Sequence, residues 1–160
     1  MIFVTSGSML PFDRLFKIVD DAIEKGILSG KLFGQIGEGK YEPKNFEFAH
    51  FLDKECFDEY ISNAKLVIGH AGIGIIMQAL NSEIPLLVLA RRAEYGEHVN
   101  NHQVATARKF EELGHILSFE EDNLEKKLKL VDSFIPIPRT PNIEAVGRRV
   151  ADFLSSNLSG

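Results

Sequence analysis

The stretch from residue 66 to residue 103 constrains the fold more than any other part of the sequence. Residues 66–68 are a short apolar run, which is typical of a strand buried in a parallel sheet. The chain turns at His70, and Gly72 and Gly74 then let the backbone come close to a bound group. A helix is predicted from Gly72, so its free N–H groups and the positive end of its dipole would face the top of the sheet. The stretch therefore predicts an anion site.

The rest of the chain repeats the order of strand and helix. Further strands are predicted at residues 2–5, 31–36, 46–51, 85–89 and 115–118, and further helices at 12–26, 53–64, 98–113, 122–131 and 142–155. Segment 46–51 alternates apolar and polar residues, which places it nearer an edge of the sheet. The alternation indicates an α/β fold, a doubly wound (Rossmann-like) parallel sheet of about six strands with helices on both faces.

Composition excludes several classes of protein. The 160 residues suit a single domain over 1–160, and the net charge of −5 argues against a nucleic-acid binder. The single cysteine, Cys56, excludes a disulfide framework, and we expect it to be a small buried residue. Residues 1–4 lack the basic start of a signal peptide, and no apolar run approaches the roughly 20 residues of a membrane span. We expect a cytoplasmic protein that contacts a membrane only peripherally or through a partner.

The loops that follow parallel strands share one edge of a sheet, which brings separate segments together. Gly7 and Ser8 follow the first predicted strand and should face the same crevice as His70. We interpret this crevice as a nucleotide-diphosphate pocket. Two simpler interpretations stay open, namely a tight turn at Gly7 and Ser8 and a structural role for His70.

Two familiar phosphate-binding motifs are absent. Gly72 and Gly74 do not belong to a dinucleotide fingerprint, because Met77 stands where that motif requires its third glycine. Residues 37–40 contain two glycines and a lysine, but they lack the spacing of a P-loop. NAD and FAD are therefore not expected as ligands.

Glu97, His98, His102 and Gln103 crowd the start of the helix predicted at 98–113. His98 and His102 are four residues apart and could share a helix face, but the glutamate of a zinc motif and a third ligand are missing, so we expect no metal. The four side chains offer the hydrogen-bond partners that a polyhydroxylated ligand requires. A solvated helix start is the alternative.

Arg91 and Arg92 follow the strand predicted at 85–89, near the same crevice. An arginine fork suits phosphate oxygens or the carboxylates of a partner. From spacing alone, a surface pair without a role is an equal alternative.

Several motifs in the same order resemble one known family. They are M-I-F-V-T-S-G-S at 1–8, H-A-G-I-G at 70–74, I-P-L-L-V-L at 84–89 and R-R-A-E-Y-G-E-H-V-N-N-H-Q at 91–103. Together they resemble the C-terminal, donor-binding half of family 28 glycosyltransferases of the GT-B fold. More narrowly, the chain is similar to the small standalone subunits of two-component transferases, which include PssE-like exopolysaccharide subunits and the small subunit of the dolichol-linked GlcNAc transferase.

The resemblance implies site residues by position. At the donor nucleotide and diphosphate it implies Gly7, Ser8, His70, Ala71, Gly72, Gly74, Ile75 and Gln78, and at the donor sugar Glu97, His98, His102 and Gln103. The chain departs from the family at Ile75, where relatives commonly carry a hydroxyl residue, and at Gln78, where many have a glutamate that holds the ribose. Ser8 stands where threonine is usual.

The resemblance also implies a partner, because a GT-B enzyme needs two such domains. The second half is expected to be a membrane-anchored, acceptor-binding subunit that presents a lipid-linked sugar and carries the general base. Residues 133–141, a proline-rich connector, and the helix predicted at 142–155 are the expected docking element, unless they pack on their own core. The expected function is transfer from UDP-GlcNAc or another UDP-hexose, without a metal. The alternatives are an accessory module without catalysis and a sugar-nucleotide epimerase.

Overall fold

The computed structural model describes residues 1–138 as six strands and five α-helices. In chain order these are β1 (Ile2–Thr5), α1 (Asp13–Glu24), β2 (Leu32–Gln35), β3 (Glu47–Ala49), α2 (Lys54–Ser62), β4 (Leu66–His70), α3 (Ile73–Asn81), β5 (Leu86–Leu89), α4 (His102–Glu112), β6 (Leu117–Phe119) and α5 (Leu124–Val131). A short 3-10 turn, Ala93–Tyr95, lies between β5 and α4.

All six strands form one sheet in the order β3-β2-β1-β4-β5-β6, and every neighbouring pair is parallel. The chain builds outward from β1 to β3 and then returns to place β4 on the other side of β1. Thr5 and Gly69 are paired next to this reversal, near the carboxyl ends of both strands. The doubly wound six-stranded fold is therefore confirmed, with β3 at an edge as predicted, and its topological switch point lies between β1 and β4.

Each face of the sheet has its own layer of helices. Ile2 and Val4 point into a core shared with α1 and α5, whereas Phe3, between them, points into a core shared with α2, α3 and α4. Successive side chains of a strand face opposite sides, so a central strand between two helical layers must be apolar throughout. This requirement explains the apolar residues 2–4 of β1 and the wholly apolar β5.

Local signals in the sequence set the ends of several helices. α1 buries Leu15, Phe16 and Val19 at helical spacing, and the chain leaves the helix through Gly26, whose φ is +70°. The Asp53 side chain accepts a hydrogen bond from the backbone N–H of Cys56 at 2.8 Å and so caps α2.

The helix predicted to begin at 98 begins at His102 instead, which corrects the prediction. Two asparagine side chains bind backbone groups here: Asn100 Oδ1 accepts from the N–H of His102 at 3.1 Å, and Asn101 Oδ1 accepts from the N–H of Ala93 at 2.7 Å. Such bonds compete with helical ones and hold the chain in a turn. His98 and His102 therefore do not share a helix face, although their rings contact each other with centroids 4.4 Å apart.

The prediction of a buried Cys56 is wrong, because the side chain is exposed. Phe57, Tyr60 and Ile61 are the residues of α2 that pack toward the sheet, and Cys56 lies on another side of the helix. A cysteine has too little apolar surface to decide which side of a helix is buried, so its neighbours decide.

The described chain ends at the amino edge of the sheet. Phe134 packs against the core beside α1, and the backbone N–H of Ile137 donates to the carbonyl of Gly114 at 2.9 Å. The predicted helix at 142–155 and the end of the connector lie outside the described residues. Within residues 1–138, no helix is long and apolar enough to cross a membrane.

Candidate functional site

A cleft of about 340 Å³ opens at the carboxyl edge of the sheet, over the switch point. Its lining comes from the end of β1 and the loop after it, from the end of β4, from the segment between β5 and α4, and from α2, α3 and α4. The lining residues are Thr5, Ser6, Gly7, Ser8, Met9, Leu10, Phe57, His70, Gly74, Ile75, Gln78, Arg91, His98 and Gln103. We call this hollow the switch-point cleft, and it brings together the two segments predicted to face each other.

A larger hollow of about 520 Å³ lies against α1 and includes Tyr95 and Glu97. Two of its carboxylates, those of Glu97 and Glu121, are bound to Arg14, which also lines it. Charges that already neutralise each other offer less to a charged ligand than unpaired groups do. The switch-point cleft, where such groups occur, is therefore the better site.

His70 lies at the end of β4 with its ring held between two glycines. A Cβ atom on Gly7 would come within 2.9 Å of the ring carbon Cε1, and one on Gly72 would overlap Nε2. Burial, together with the positive charge of Arg91, lowers the pKa of His70 to about 4, and the Thr5 backbone opposes this shift only in part. The ring is therefore neutral at pH 7, and each glycine is required where the ring touches it.

Arg91 brings a positive charge to the cleft. The residue is 3% exposed, and its Nη2 donates to the carbonyls of Ser6 at 2.8 Å and Leu10 at 2.6 Å. Within residues 1–138 it forms no ion pair, although Glu97 is near enough to oppose the burial that lowers its pKa to about 10. A buried charge without a carboxylate partner is costly, and an anion in the cleft would offset that cost. Arg91 is therefore not a surface residue, which corrects the alternative of a surface arginine pair.

Unsatisfied hydrogen-bonding capacity collects at this edge of the sheet. In the described part of the chain, three buried side-chain atoms have no hydrogen-bond partner: Gln35 Oε1, His70 Nδ1 and Arg91 Nε. They belong to residues at the carboxyl ends of β2 and β4 and in the loop just after β5. Buried polar atoms in proteins almost always have partners, and two of these three residues, His70 and Arg91, line the cleft, so a ligand there is the partner we expect for them.

The N-terminus of α3 supplies backbone donors to the same place. Gly72 is the N-cap residue, and the first intrahelical bond of the ladder runs from the N–H of Ile76 to its carbonyl at 3.2 Å. The N–H groups of Ile73, Gly74 and Ile75 therefore have no acceptor within the helix. A Cβ on Gly74 would meet nothing within 4 Å, so the backbone there is open to a ligand.

The two departures from the family pattern have different structural outcomes. Ile75 is buried and packs into the core between the sheet and α3. The side-chain amide of Gln78 donates from Nε2 to Oδ1 of Asp58, whose other oxygen binds Lys54. With its nitrogen held by Asp58, Gln78 keeps its oxygen as an acceptor in the lining of the cleft.

The residues predicted to bind the sugar separate into two pairs. His98 and Gln103 line the switch-point cleft, and Gln103 Oε1 also accepts from the N–H of Arg91 at 3.2 Å. Glu97 and His102 do not line it: the Glu97 carboxylate binds Arg14, and exposed His102 faces Asn100.

Three other predicted residues lie at or beside the cleft. Ser8 is exposed and lines the cleft, whereas Ala71 does not line it and is buried in the core on the α2, α3 and α4 side of the sheet. Arg92 points away and forms ion pairs with Glu94 and Glu120 at the surface. Among residues 1–138, no three histidine, cysteine, aspartate or glutamate side chains gather as metal ligands would.

Sequence reasoning missed Arg14, Gln35 and Asp58. Each lies far along the chain from the group it serves, since Arg14 is 83 residues from Glu97 and Asp58 is 20 residues from Gln78. Spacing within one helix or loop cannot reveal such pairs. Only the position of Gln35, at the end of a predicted central strand, could have marked it as a residue of the edge.

Comparison with known families agrees with this geometry. The family model described as the glycosyltransferase family 28 C-terminal domain matches residues 1–154. The match includes every residue of the switch-point cleft.

Curated relatives carry one name. UDP-N-acetylglucosamine transferase subunit ALG13 of Homo sapiens is 34% identical over 124 residues, which are 72% of this chain and 10% of the human protein. The protein of the same name from Eremothecium gossypii is 41% identical over 61 residues, which are 38% of this chain and 28% of the fungal one. The chain thus spans only a small part of these curated relatives.

Solved structures show the same fold. The NMR structure of ALG13 matches with a TM-score of 0.59 at 23% identity, over 91% of this chain and 93% of that one. MurG of Acinetobacter baumannii matches with a TM-score of 0.58 at 17% identity, over 82% of this chain and 40% of that one. The glycotransferase of kitacinnamycin matches with a TM-score of 0.59 at 18% identity, over 94% of this chain and 37% of that one. The described fold is therefore that of one half of a GT-B glycosyltransferase.

Proposed function

The chain belongs to the family of glycosyltransferase family 28 C-terminal domains, and from that premise we propose that it is the donor-binding, catalytic subunit of a UDP-sugar glycosyltransferase. The observation that carries the proposal is the unpaired, buried guanidinium of Arg91 beside His70 and the open N-terminus of α3. A cation and free backbone N–H groups at one point suit a diphosphate.

The nucleoside would lie on the α2 side of the cleft. Phe57 offers an apolar surface there, and the oxygen of Gln78, oriented by Asp58, can accept from a ribose hydroxyl. The sugar would lie on the α4 side, toward His98 and Gln103. UDP-GlcNAc, the donor in the name of the relatives, is the first donor to test, followed by other UDP-hexoses.

The chemistry would be a single inverting displacement. The acceptor hydroxyl oxygen forms a bond to the anomeric carbon while the bond from that carbon to the UDP oxygen breaks. The N–H groups at the start of α3 and the Arg91 charge would stabilise the negative charge that develops on UDP. The proton of the hydroxyl would pass to a general base on the acceptor-binding partner.

The partner and the acceptor are part of the proposal. A GT-B site lies between two domains, and this chain corresponds to one of them. We infer a membrane-anchored subunit that presents a lipid-linked sugar, so that this chain would act at the cytoplasmic face of a membrane through its partner. Residues 133–141 and 142–155 stay the expected docking element.

Calorimetry with UDP tests the pocket. His70→Ala is expected to weaken UDP binding by about tenfold, because the ring fills the space between Gly7 and Gly72 and carries a free nitrogen. His115→Ala is the matched control, since His115 lies at the opposite edge of the sheet and binds the carbonyl of Ile137. Unchanged affinity in His70→Ala would refute the assignment.

One observation favours a second function, that of an accessory module without catalysis. Ile75 is buried in the first turn of α3 and offers no hydroxyl group to a phosphate. A complex that keeps full sugar transfer after both His70 and Gln103 are replaced by alanine would support this second function. Loss of transfer in that double variant would exclude it.

A further inference from the structure

Glu97 is held by α1 rather than presented to the switch-point cleft. Its Oε1 accepts from Arg14 Nε at 2.7 Å and its Oε2 from Arg14 Nη2 at 2.8 Å, a bidentate ion pair. The two side chains are only 15% and 9% exposed, so solvent screens the pair little. The Glu97 Oε2 atom also accepts from the backbone N–H of Arg92 at 3.0 Å.

Arg14 holds both ends of one loop. Besides Glu97, its Nη2 donates to the carbonyl of Ala90 at 2.9 Å, directly after β5. The ring of Tyr95, in the middle of the loop, lies 4.7 Å from the guanidinium carbon. One side chain of α1 therefore contacts the beginning, the middle and the end of loop 90–97.

Loop 90–97 leads directly into the residues that line the sugar side of the cleft. His98 follows Glu97 in the chain, and Gln103 binds the backbone of Arg91 within the loop. Arg91, within the loop, binds the carbonyls of Ser6 and Leu10 in the segment after β1. The loop is thus bonded to cleft residues of two segments, Ser6 and Leu10 after β1 and Gln103 in α4.

We propose that Glu97 and Arg14 form a positioning pair that clamps loop 90–97 to α1, so that His98 and Gln103 face the donor. The proposal rests on the function proposed above, and it assigns Glu97 a role through Arg14 instead of a contact with the sugar. A direct contact would require the carboxylate to leave two charge-assisted hydrogen bonds in a half-buried place, which is unfavourable.

A double-mutant cycle on donor affinity separates the two roles. The variants are Arg14→Met, Glu97→Met and both together, with affinity for UDP and UDP-GlcNAc measured by calorimetry. If Glu97 acts through Arg14, each single variant weakens UDP-GlcNAc by roughly tenfold and the double variant is no weaker than either single one. UDP alone is expected to lose less, because it does not reach the sugar side of the cleft.

The control is an ion pair of the same residue types. Arg108 and Glu112 form an exposed pair one turn apart on α4, and neither lines the cleft. Arg108→Met and Glu112→Met are expected to leave both affinities unchanged. An Arg14→Met variant with unchanged affinities, or a Glu97→Met effect that simply adds to that of Arg14→Met, would overturn the proposal that Glu97 acts through Arg14.

Amide exchange in the ligand-free protein gives a second readout. The N–H of Arg92 donates to Glu97, so its exchange is expected to become faster in both Glu97→Met and Arg14→Met. Exchange that stays slow in Arg14→Met would refute the clamp even if donor affinity falls. A wild-type protein that binds neither UDP nor UDP-GlcNAc would refute the proposed function itself and the donor-positioning role with it, an outcome distinct from an additive cycle in a protein that binds.

Discussion

Two buried polar clusters in this domain differ in how well their hydrogen bonds are satisfied. The first surrounds Asp20 of α1, whose carboxylate accepts from the Tyr41 hydroxyl at 2.7 Å, from the Lys44 N–H at 2.9 Å and from the N–H and side-chain amide of Asn45 at 2.9 and 3.0 Å. The second is the switch-point cleft, where Arg91 lacks an ion-pair partner in residues 1–138 and retains a free Nε.

This difference suggests that the Asp20 cluster stabilises the fold, whereas the switch-point cleft serves a ligand. The four bonds of Asp20 join α1 to residues 41–45 and leave its oxygens nothing to offer a ligand. The polar groups of the cleft contribute little to the stability of the fold, because they are buried without all of their hydrogen-bond and ion-pair partners. A change in the first cluster should therefore affect unfolding, whereas a change in the second should affect the ligand.

Asp20→Ala is expected to give the largest effect on stability. It leaves two backbone N–H groups and the Tyr41 hydroxyl without their acceptor in a place where Asp20 is only 2% exposed. The free energy of unfolding should fall by about 3 kcal/mol, as measured by urea denaturation. The neighbouring Asp21 is exposed, so Asp21→Ala should change it little. A change in UDP affinity in Asp20→Ala without unfolding would contradict the separation of the two clusters.

Gly72→Ala tests the cleft by steric means. The added methyl group would overlap the His70 ring, so that the ring or the start of α3 must move. We expect a loss of about 2 kcal/mol in unfolding free energy, measured by thermal denaturation, together with weaker UDP binding. Gly74→Ala is the matched control for stability, because a Cβ there meets nothing within 4 Å. Equal destabilisation by the two substitutions would show that the His70 contact does not matter.

Much of the fold followed from the sequence because its signals are local. Apolar runs predicted the central strands, and glycine, as at Gly26 after α1, predicted where a helix ends. The start of α4 was missed because Asn100 and Asn101 bind backbone groups with their side chains, an outcome that depends on the neighbouring loop. The exposed Cys56 was missed for a related reason, since burial depends on what faces the helix.

The candidate site was predicted less completely than the fold. The parallel topology brings the ends of β1, β4 and β5 together, so the joint position of Gly7, His70 and Gln103 could be anticipated. The direction in which a loop side chain points could not be anticipated. Glu97 and His98 are adjacent in the chain, yet one binds α1 and the other lines the cleft.

Arg91→Met sharpens the comparison by removing the unpaired charge. The aliphatic side chain keeps contact with Phe12, whose ring the guanidinium covers at 5.0 Å, but it loses the donors to Ser6 and Leu10. Because a costly buried charge disappears as well, stability should change by only about 1 kcal/mol or less. UDP affinity should fall by about tenfold. Arg92→Met, at the adjacent position, should spare it, and equal losses in both variants would indicate a general charge effect.

The smallest expected effect concerns pH. Folding lowers the pKa of His70 from 6.5 to about 4, so between these values the unfolded chain binds a proton that the folded chain does not. Stability should therefore fall as the pH decreases from about 6.5 toward 4, by on the order of 1 kcal/mol for this group, since the ring is partly accessible to solvent. Burial tends to raise the pKa of Asp20, but the bonds from Lys44, Tyr41 and Asn45 lower it below its ordinary 3.8. The stability that Asp20 contributes should therefore be lost only at a lower pH than the range in which His70 acts.

The two pH ranges can be separated with one variant. Urea denaturation of the wild type and His70→Gln at pH 7 and pH 4.5 isolates the histidine, because the other titrating groups are common to both proteins. The wild type should lose more stability than His70→Gln over this interval. UDP should raise the pKa of His70, since its phosphates would favour the protonated ring, and NMR titration of the ring with and without UDP measures that shift. A His70 pKa that UDP leaves unchanged would mean that the diphosphate does not lie beside this ring. The assignment of the second cluster to ligand binding would then be wrong.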